Sequence, residues 1–304
     1  SVVWHQALTG PSSYTLHDAA TMPNGDIVYV GEVQNANDDL YVSRQDINGN
    51  TIWVRTFAKP GPAGDVFAQA VRISPLNNNI YIACEVTGNV TLRDFWLVEL
   101  DPTGAPVANR MVDHFNNDKV GDFEIGVQGN LFLGAMDLTP AQPLLVKMDP
   151  AFNTMFTYTF GNPAATAVQR IEDIEVSPTG DVLIAGGVHD GTQSDVGLDR
   201  IDFLGVAIYQ KVIGDATLPD GGAHIVDAAD GSTYLGYIRK YLTIDALGRF
   251  AKFNATGVFQ WNFDSVGIEH SEVAQMVSGD IVFAGSADGQ GYETRVFRLT
   301  DAGV

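Results

Sequence analysis

The chain offers almost no sulfur chemistry. Cys84 is its only cysteine in 304 residues, so no intrachain disulfide and no thiolate metal site can form. Set inside "IYIACEV", it reads as a small buried core residue. Basic residues are scarce as well: 17 Lys and Arg stand against 37 Asp and Glu, a formal net charge of −20. Such a surface repels nucleic acid and anionic membranes and suits solubility, cation binding or a salty exterior. There is no apolar run of the roughly 18 residues that a membrane-spanning helix needs. Helical periodicity is missing throughout. So are the Gly-x-x-x-x-Gly-Lys-Ser/Thr phosphate loop and the nucleophile elbow. The histidines, His5, His17, His114, His189, His224 and His270, form no metal-binding pair. "DGTQSD" and "DAADGS" share only the composition of Ca²⁺ loops, without the ligand order or the closing Glu.

What the chain has in quantity is glycine, 32 residues of it, and it recurs on a period. A tight turn appears as "PNGDIVYVG" (Gly25), "PLNNNIYIAC" (Asn77), "VQGNLFLGA" (Gly129), "PTGDVLIAG" (Gly180), "ADGSTYLGY" (Gly231) and "VSGDIVFAG" (Gly279), at spacings of 52, 52, 51, 51 and 48. Gly and Asn accept the positive φ that a two-residue hairpin turn demands. A β-prone run follows each turn and ends in Gly, except at Cys84. A second marker, Asp-x-x-Gly in its fullest form, occupies one slot as Asp46, Asp101, Asp149, Asp202, Asn254 and Thr300. Gly stands three residues later in every copy but the third, which has Phe152. Two residues before the slot sits a charge: Arg44, Glu99, Lys147, Arg200, Lys252 and Arg298. Asp caps its own turn and Gly takes the awkward dihedral. Trp53 and Trp261 share one place on the following strand, with Trp4 within a residue of it, and are read as packing between sheets.

Each period therefore holds four strands, and six periods predict an all-β, six-bladed β-propeller of four-stranded antiparallel blades. The ends agree. "RLTDAGV" followed by "SVVWHQALTG" spells another Asp-x-x-Gly unit, so the N-terminal strand completes the last blade. A ring joined this way has no edge at its seam. The expectation is one domain over 1–304, with blades at about 11–59, 60–113, 114–161, 162–214, 215–264, and 265–304 plus 1–10. The start at Ser1 in strand-like sequence fits removal of a targeting segment.

With "LHDAATMPNGDIVYVG" and "RQDINGNTIW" aligned, the chain resembles secreted bacterial β-propeller repeat proteins. The resemblance implies export, surface attachment and binding, and it brings no catalytic residues. Other propeller families fit less well. Trp-Asp and Gly-His pairs are missing where a WD repeat needs them, and Gly-Gly follows the second strand only at Gly186 and Gly187. Ser43, Asp46, Gly49 and Trp53 are spaced one residue too widely for a sialidase Asp box.

The first strand of a propeller blade lines the central channel. Six residues before each turn lie Ala19, Val71, Phe123, Ile174, Ile225 and Val273, all apolar. Seven before lie Asp18, Ala70, Asp122, Asp173, His224 and Glu272, which predicts carboxylates at one height. Two carboxylates about 8 Å apart repel by roughly 2 kcal/mol at an effective dielectric near 20. Something should offset that: a bound cation, with Asp18, Asp122, Asp173 and Glu272 as ligands and Ca²⁺ as the natural ion, raised pKa values, or backbone donors of the neighbouring blade. His17, His224, His270, Arg72, Glu124 and Glu175 belong to the same channel mouth, with an ion pair expected from Arg72 to Glu124 or Glu175. A third row, Asp39, Asp94, Gln142, Asp195, Leu247 and Glu293, reads as repeat scaffolding.

The functional expectation is an exported or cell-surface interaction module. It would be monomeric, part of a larger protein, and would bind a protein or glycan partner through loops, with no catalytic residues assigned. The missing repeated exposed aromatic disfavours a repeated lectin site. The alternative is a Ca²⁺-dependent hydrolase of the lactonase or esterase sort, with the metal on the channel acids.

Overall fold

The Asp-x-x-Gly segments that start at Asp46, Asp101 and Asp202 are turns between antiparallel strands. The computed structural model describes residues 13–88, 93–112, 118–137, 143–161, 169–189, 193–214, 220–239, 247–266, 268–276, 278–287 and 293–300. Strands and turns account for all the regular structure among them. Six sheets follow chain order. The first holds β1 (Tyr14–Thr21), β2 (Ile27–Gln34), β3 (Asp38–Gln45) and β4 (Thr51–Phe57), and the second β5 (Val66–Ile73), β6 (Ile80–Val86), β7 (Asp94–Leu100) and β8 (Pro106–Val112). The third holds β9 (Asp118–Ile125), β10 (Leu131–Asp137), β11 (Pro143–Met148) and β12 (Thr154–Thr159), and the fourth β13 (Arg170–Val176), β14 (Val182–His189), β15 (Ser194–Ile201) and β16 (Ala207–Ile213). The fifth holds β17 (Asp220–Asp227), β18 (Thr233–Arg239), β19 (Leu247–Phe253) and β20 (Phe259–Val266). The sixth has three strands, β21 (Ile268–Gln275), β22 (Ile281–Ala287) and β23 (Glu293–Leu299). The strand expected from Val2 to Ala7 lies outside the described residues.

Burial follows strand position. In the first five sheets the second and third strands are largely buried, and β6 "IYIACEV" and β7 "DFWLVEL" are buried at every residue. Short apolar runs bounded by turns have this fate. The fourth strands are mostly exposed, as in β4 and β16.

Packing divides the chain into two compact units, Ser1–Thr139 with Val146–Met155, and Pro140–Leu145 with Phe156–Val304. In the first, Val28, Val30, Leu40 and Val42 pack with Val66, Ile82, Cys84 and Trp96. Cys84 is fully buried, and burial pushes its thiol up from the ordinary range. In the second, an aromatic cluster includes Tyr234 stacked on Phe250 at 5.8 Å, with Phe283 5.5 Å from Phe250.

The turns correct one expectation. They have three residues rather than two. Gly25 N–H donates to the Met22 carbonyl at 2.9 Å and Met22 N–H to the Asp26 carbonyl at 2.8 Å. This is a turn closed by a left-handed residue, with Gly25 at φ 87°. The second sheet's turn is longer, closing from Asn78 N–H to the Ser74 carbonyl at 3.0 Å. Its left-handed residue is therefore Asn78 (φ 61°), not Asn77. At the other turn, the Asp46 carboxylate accepts from the N–H groups of Asn48 (2.9 Å) and Asn50 (2.8 Å). Hydrogen bonds from Asn50 hold Asp46 below the usual carboxylate range.

The charged slot ties these turns down. Arg44 reaches Asp26 at 2.6 Å and the Pro102 carbonyl at 2.6 Å. Arg200 reaches Asp181 at 3.1 Å and Asp227 at 3.4 Å, and Arg298 pairs with Asp280. The slot after it supports the adjoining repeat. A Cβ on Gly104 would lie 3.0 Å from the Trp53 ring, and one on Gly257 2.7 Å from the Tyr209 ring. An aromatic on the fourth strand thus lies against the turn glycine one repeat on. Where the second repeat has Ala108 instead, the third has Phe152 in place of glycine. Phe152 is buried at φ 63°, and Ala108 packs against its cluster.

Candidate functional site

The first strands of the first five sheets carry a bulge at one height, and that of the sixth carries it two residues earlier. The register slips between Leu16 and Asp18, Ala68 and Ala70, Ile171 and Asp173, Gly221 and His224, and Ile268 and His270. In the third sheet it slips opposite Val120 and Asp122. In the first five sheets the slip falls just before the expected acid row, and a bulge re-aims the side chains beside it. Glycine on the second strand permits the close approach. A Cβ on Gly31 would lie 1.8 Å from the Thr15 carbonyl oxygen.

In the first unit the row gathers on one guanidinium. Arg72 Nη1 lies 2.8 Å from Asp18 Oδ2, Nη2 3.1 Å from Asp122 Oδ1, and Nε 2.5 Å from Glu124 Oε1. Asp18 Oδ2 also accepts the Val71 N–H at 2.9 Å, and Oδ1 the Ala19 N–H at 2.8 Å. Burial opposes the charge on Arg72, but the fields of Glu124, Asp122 and Asp18 overcome it and raise its pKa. Burial raises the pKa of Glu124 against the pull of Arg72. Next to this group, His17 Nε2 lies 2.6 Å from Glu32 Oε2, while Glu32 Oε1 accepts the Ala68 N–H at 2.8 Å. Burial raises the Glu32 pKa, and His17 opposes the rise.

In the second unit Asp173 Oδ2 accepts the Ile225 N–H at 2.7 Å and lies 3.7 Å from His224 Nδ1. Glu172 accepts the Ala223 N–H at 2.6 Å. Glu175 is half-buried, across from Leu183. Glu272 and His270 lie on β21 opposite Ala284 and Ser286, and their side chains are outside what is described. Among the described residues, no three His, Cys, Asp or Glu side chains are grouped to hold a metal ion. In the first unit, the charge that the sequence left for a cation to balance is met by Arg72 and by backbone N–H groups of the next sheet.

The structure also shows a cleft that the sequence reading passed over. It encloses about 400 Å³ and is lined by Gly161, Val188, His189, Gly197, Asp199, Gln210, Lys211 and Val212, all in the second unit. Asp199 on β15 is 4% exposed. The Tyr158 hydroxyl donates to Asp199 Oδ2 at 2.7 Å, and Gln210 Nε2 donates to the Tyr158 oxygen at 2.7 Å. Burial pushes the Asp199 carboxyl up to about 6, against hydrogen bonds from Tyr158, Gln210 and the Lys211 backbone. Burial and then Asp199 raise the Tyr158 hydroxyl. One signal could have found this site. The residue before the charged slot is Ser43, Val98, Val146, Asp199, Ala251 or Phe297, and only the fourth copy is acidic.

No family model matches the chain, and no curated protein matches it. Solved structures do. The chain is similar to a protein of unknown function from Dyadobacter fermentans, 11% identical over 93% of both chains, with a TM-score of 0.57. It is similar to the Dos1 propeller, 12% identical over 95% of this chain and 70% of that one, with a TM-score of 0.58. It is also similar to a leech intramolecular trans-sialidase complexed with 2,7-anhydro-Neu5Ac, 7% identical over 95% and 68%, with a TM-score of 0.62. At these identities the likeness is one of fold. An all-β chain of repeated antiparallel sheets, akin to a named propeller, has a propeller-like fold.

Proposed function

We propose that the chain is one six-bladed propeller domain that acts as an exported or cell-surface binding module for a protein or glycan partner. The observation that carries this reading is the pairing around Arg72. The strongest polar cluster foreseen in the sequence is engaged in joining neighbouring sheets, which leaves the faces and loops of a rigid scaffold to make contacts. The test is direct binding of the purified chain to glycan arrays and to intact cell surfaces. Saturable binding supports the module, and binding to neither overturns it.

The sixth blade is completed by residues 2–7. Val42, Leu97, Leu145, Leu198 and Phe250, two residues before the charged slot, are all 0% exposed, whereas Val296 in that position is 64% exposed. A fourth strand beside β23 would cover it. Removing residues 1–10 should lower the melting temperature, and the peptide SVVWHQALTG in excess should restore part of the loss by mass action. An unchanged melt would refute the closure.

The second reading is a Ca²⁺-dependent hydrolase, in which Asp18 and Asp122 would exchange Arg72 for the metal. EDTA and excess Ca²⁺ decide it. A native-state ligand at a hundredfold excess over its Kd stabilises by about 2.7 kcal/mol, and equal melts in both would remove this reading.

A further inference from the structure

We propose that the Asp199 cleft is a binding site for an organic cation, an alkylammonium or a guanidinium, whose charge sits on the Asp199 carboxylate. The inference deepens the binding-module reading by naming a site and a ligand chemistry apart from the Arg72 cluster.

Three observations carry it. First, Asp199 is a buried carboxylate held by neutral donors alone. Tyr158 donates at 2.7 Å and is itself fixed by Gln210 at 2.7 Å. Among the described residues, no Lys, Arg or His forms an ion pair with it. A buried charge is costly until it is paired, and an incoming cation supplies that pairing. Other acids in the fold have cations: Asp26 has Arg44, Asp122 has Arg72, and Asp264 has Arg249 at 2.7 Å.

Second, the carboxylate lines a cavity. About 400 Å³ falls within the usual size of small-ligand sites. Val188 and Val212 supply apolar wall, and Gly161 and Gly197 complete it with backbone. The lining also carries His189, Gln210 and Lys211, and Asp199 is its one acid, the group that would hold a charged head while the valines face an aliphatic stem. Gly197 is held small by its own packing, since a Cβ there would come within 2.5 Å of Val188 and 2.6 Å of Phe160.

Third, the acid is not part of the repeat. The same slot in the other five copies is Ser43, Val98, Val146, Ala251 and Phe297. Asp199 therefore has no scaffold role shared around the repeats. The chain's formal charge of −20 attracts cations to the surface from a distance.

Two sources can deliver this chemistry, a free amine or a Lys or Arg side chain of a protein partner. The test is NMR titration of the full chain with n-butylammonium, with the neutral alcohol 1-pentanol, and with the peptide acetyl-Gly-Lys-Gly-amide. Shifts would be followed at Gly161, Gly197 and the Gln210 side-chain amide. Both cations should shift these signals and pentanol should not. Tighter binding of the peptide assigns the site to a partner's side chain, and tighter binding of the amine assigns it to a free small molecule. Either cation should bind at least tenfold more weakly to Asp199→Asn. The second variant, Val212→Trp, alters a residue 64% exposed at the rim, so it obstructs the cleft without disturbing the core. It should weaken binding by a similar factor. The proposal is overturned if neither cation binds, if pentanol binds as well, or if both variants bind as the wild type does. Those results would leave the glycan and cell-surface assays, and with them the module reading, untouched.

Discussion

The pairing of Ala108 with Phe152 can be tested as an exchange. In the first and fourth repeats, Trp53 and Tyr209 lie against Gly104 and Gly257. In the second, the large residue has moved across the seam onto the turn itself. Phe152 is 2% exposed, packs edge-on to Tyr81 at 5.9 Å, and has φ 63°. Replacing it with Gly deletes a buried ring, a loss of about 3–5 kcal/mol. It also removes about 1 kcal/mol of left-handed strain, for a net loss near 3 kcal/mol. Ala108→Trp alone forces a second ring into a filled space, at a cost of about 1–3 kcal/mol. The double variant recreates the Trp53–Gly104 arrangement, so its loss should be far smaller than the sum, with a coupling of about 2–3 kcal/mol. Urea unfolding of the four proteins gives the cycle, provided the m-values agree. A coupling below about 0.5 kcal/mol would refute the exchange.

Arg72→Met leaves Asp18, Asp122 and Glu124 without their cation and should destabilise the fold by about 3–5 kcal/mol at pH 7. Melts should show part of the loss recovered as the pH falls and Glu124, whose pKa burial raises, takes up a proton. Asp220 is buried, with neither carboxylate oxygen hydrogen-bonded among the described residues, and burial, then Asp195, pushes its pKa up to about 7. Its folded pKa lies above the unfolded value, so its term favours the fold at low pH and is lost as pH rises from about 4 to about 7, at up to roughly 1.4 kcal/mol per pH unit. Asp220→Asn should flatten that part of the stability–pH curve, and an unchanged curve would show that Asp220 does not titrate there. Gly31→Ala sets a Cβ against the Thr15 carbonyl oxygen and should cost about 1–3 kcal/mol in urea melts; a neutral result would mean that the bulge yields.

Much of the fold was legible because turns are written in local chemistry. Asp46, Asn48, Gly49 and Asn50 make their hydrogen bonds within five residues, so the sequence alone displays them. Burial of the middle strands shows in runs such as "IYIACEV". The first-strand bulges were not legible, because a slipped pair at Leu16 and Asp18 depends on which residues face each other across the hairpin. The turn at Asn78 was misplaced by one residue for a related reason: three consecutive asparagines offer three equivalent sites, and only the closing bond to Ser74 chooses among them.

The candidate sites divide along the same line. Asp18, Asp122 and Glu124 were found because they recur, and recurrence is what scaffolding produces: their oxygens meet Arg72 and the backbone of the next sheet. Asp199 was passed over because aligning repeats rewards agreement, and it agrees with nothing. In a chain assembled from copies of one unit, each copy must satisfy the same packing and hydrogen-bond demands, so shared residues report on those demands. An acidic residue that appears once, at a slot buried in four of the other five copies, is released from them. It carries a desolvation cost that the repeat does not require, and something specific to that blade must offset it. The same reasoning identified Phe152 as a compensation for Ala108 rather than as a ligand contact. For Asp199, no ion pair is formed among the described residues, and neutral donors and a cleft surround it.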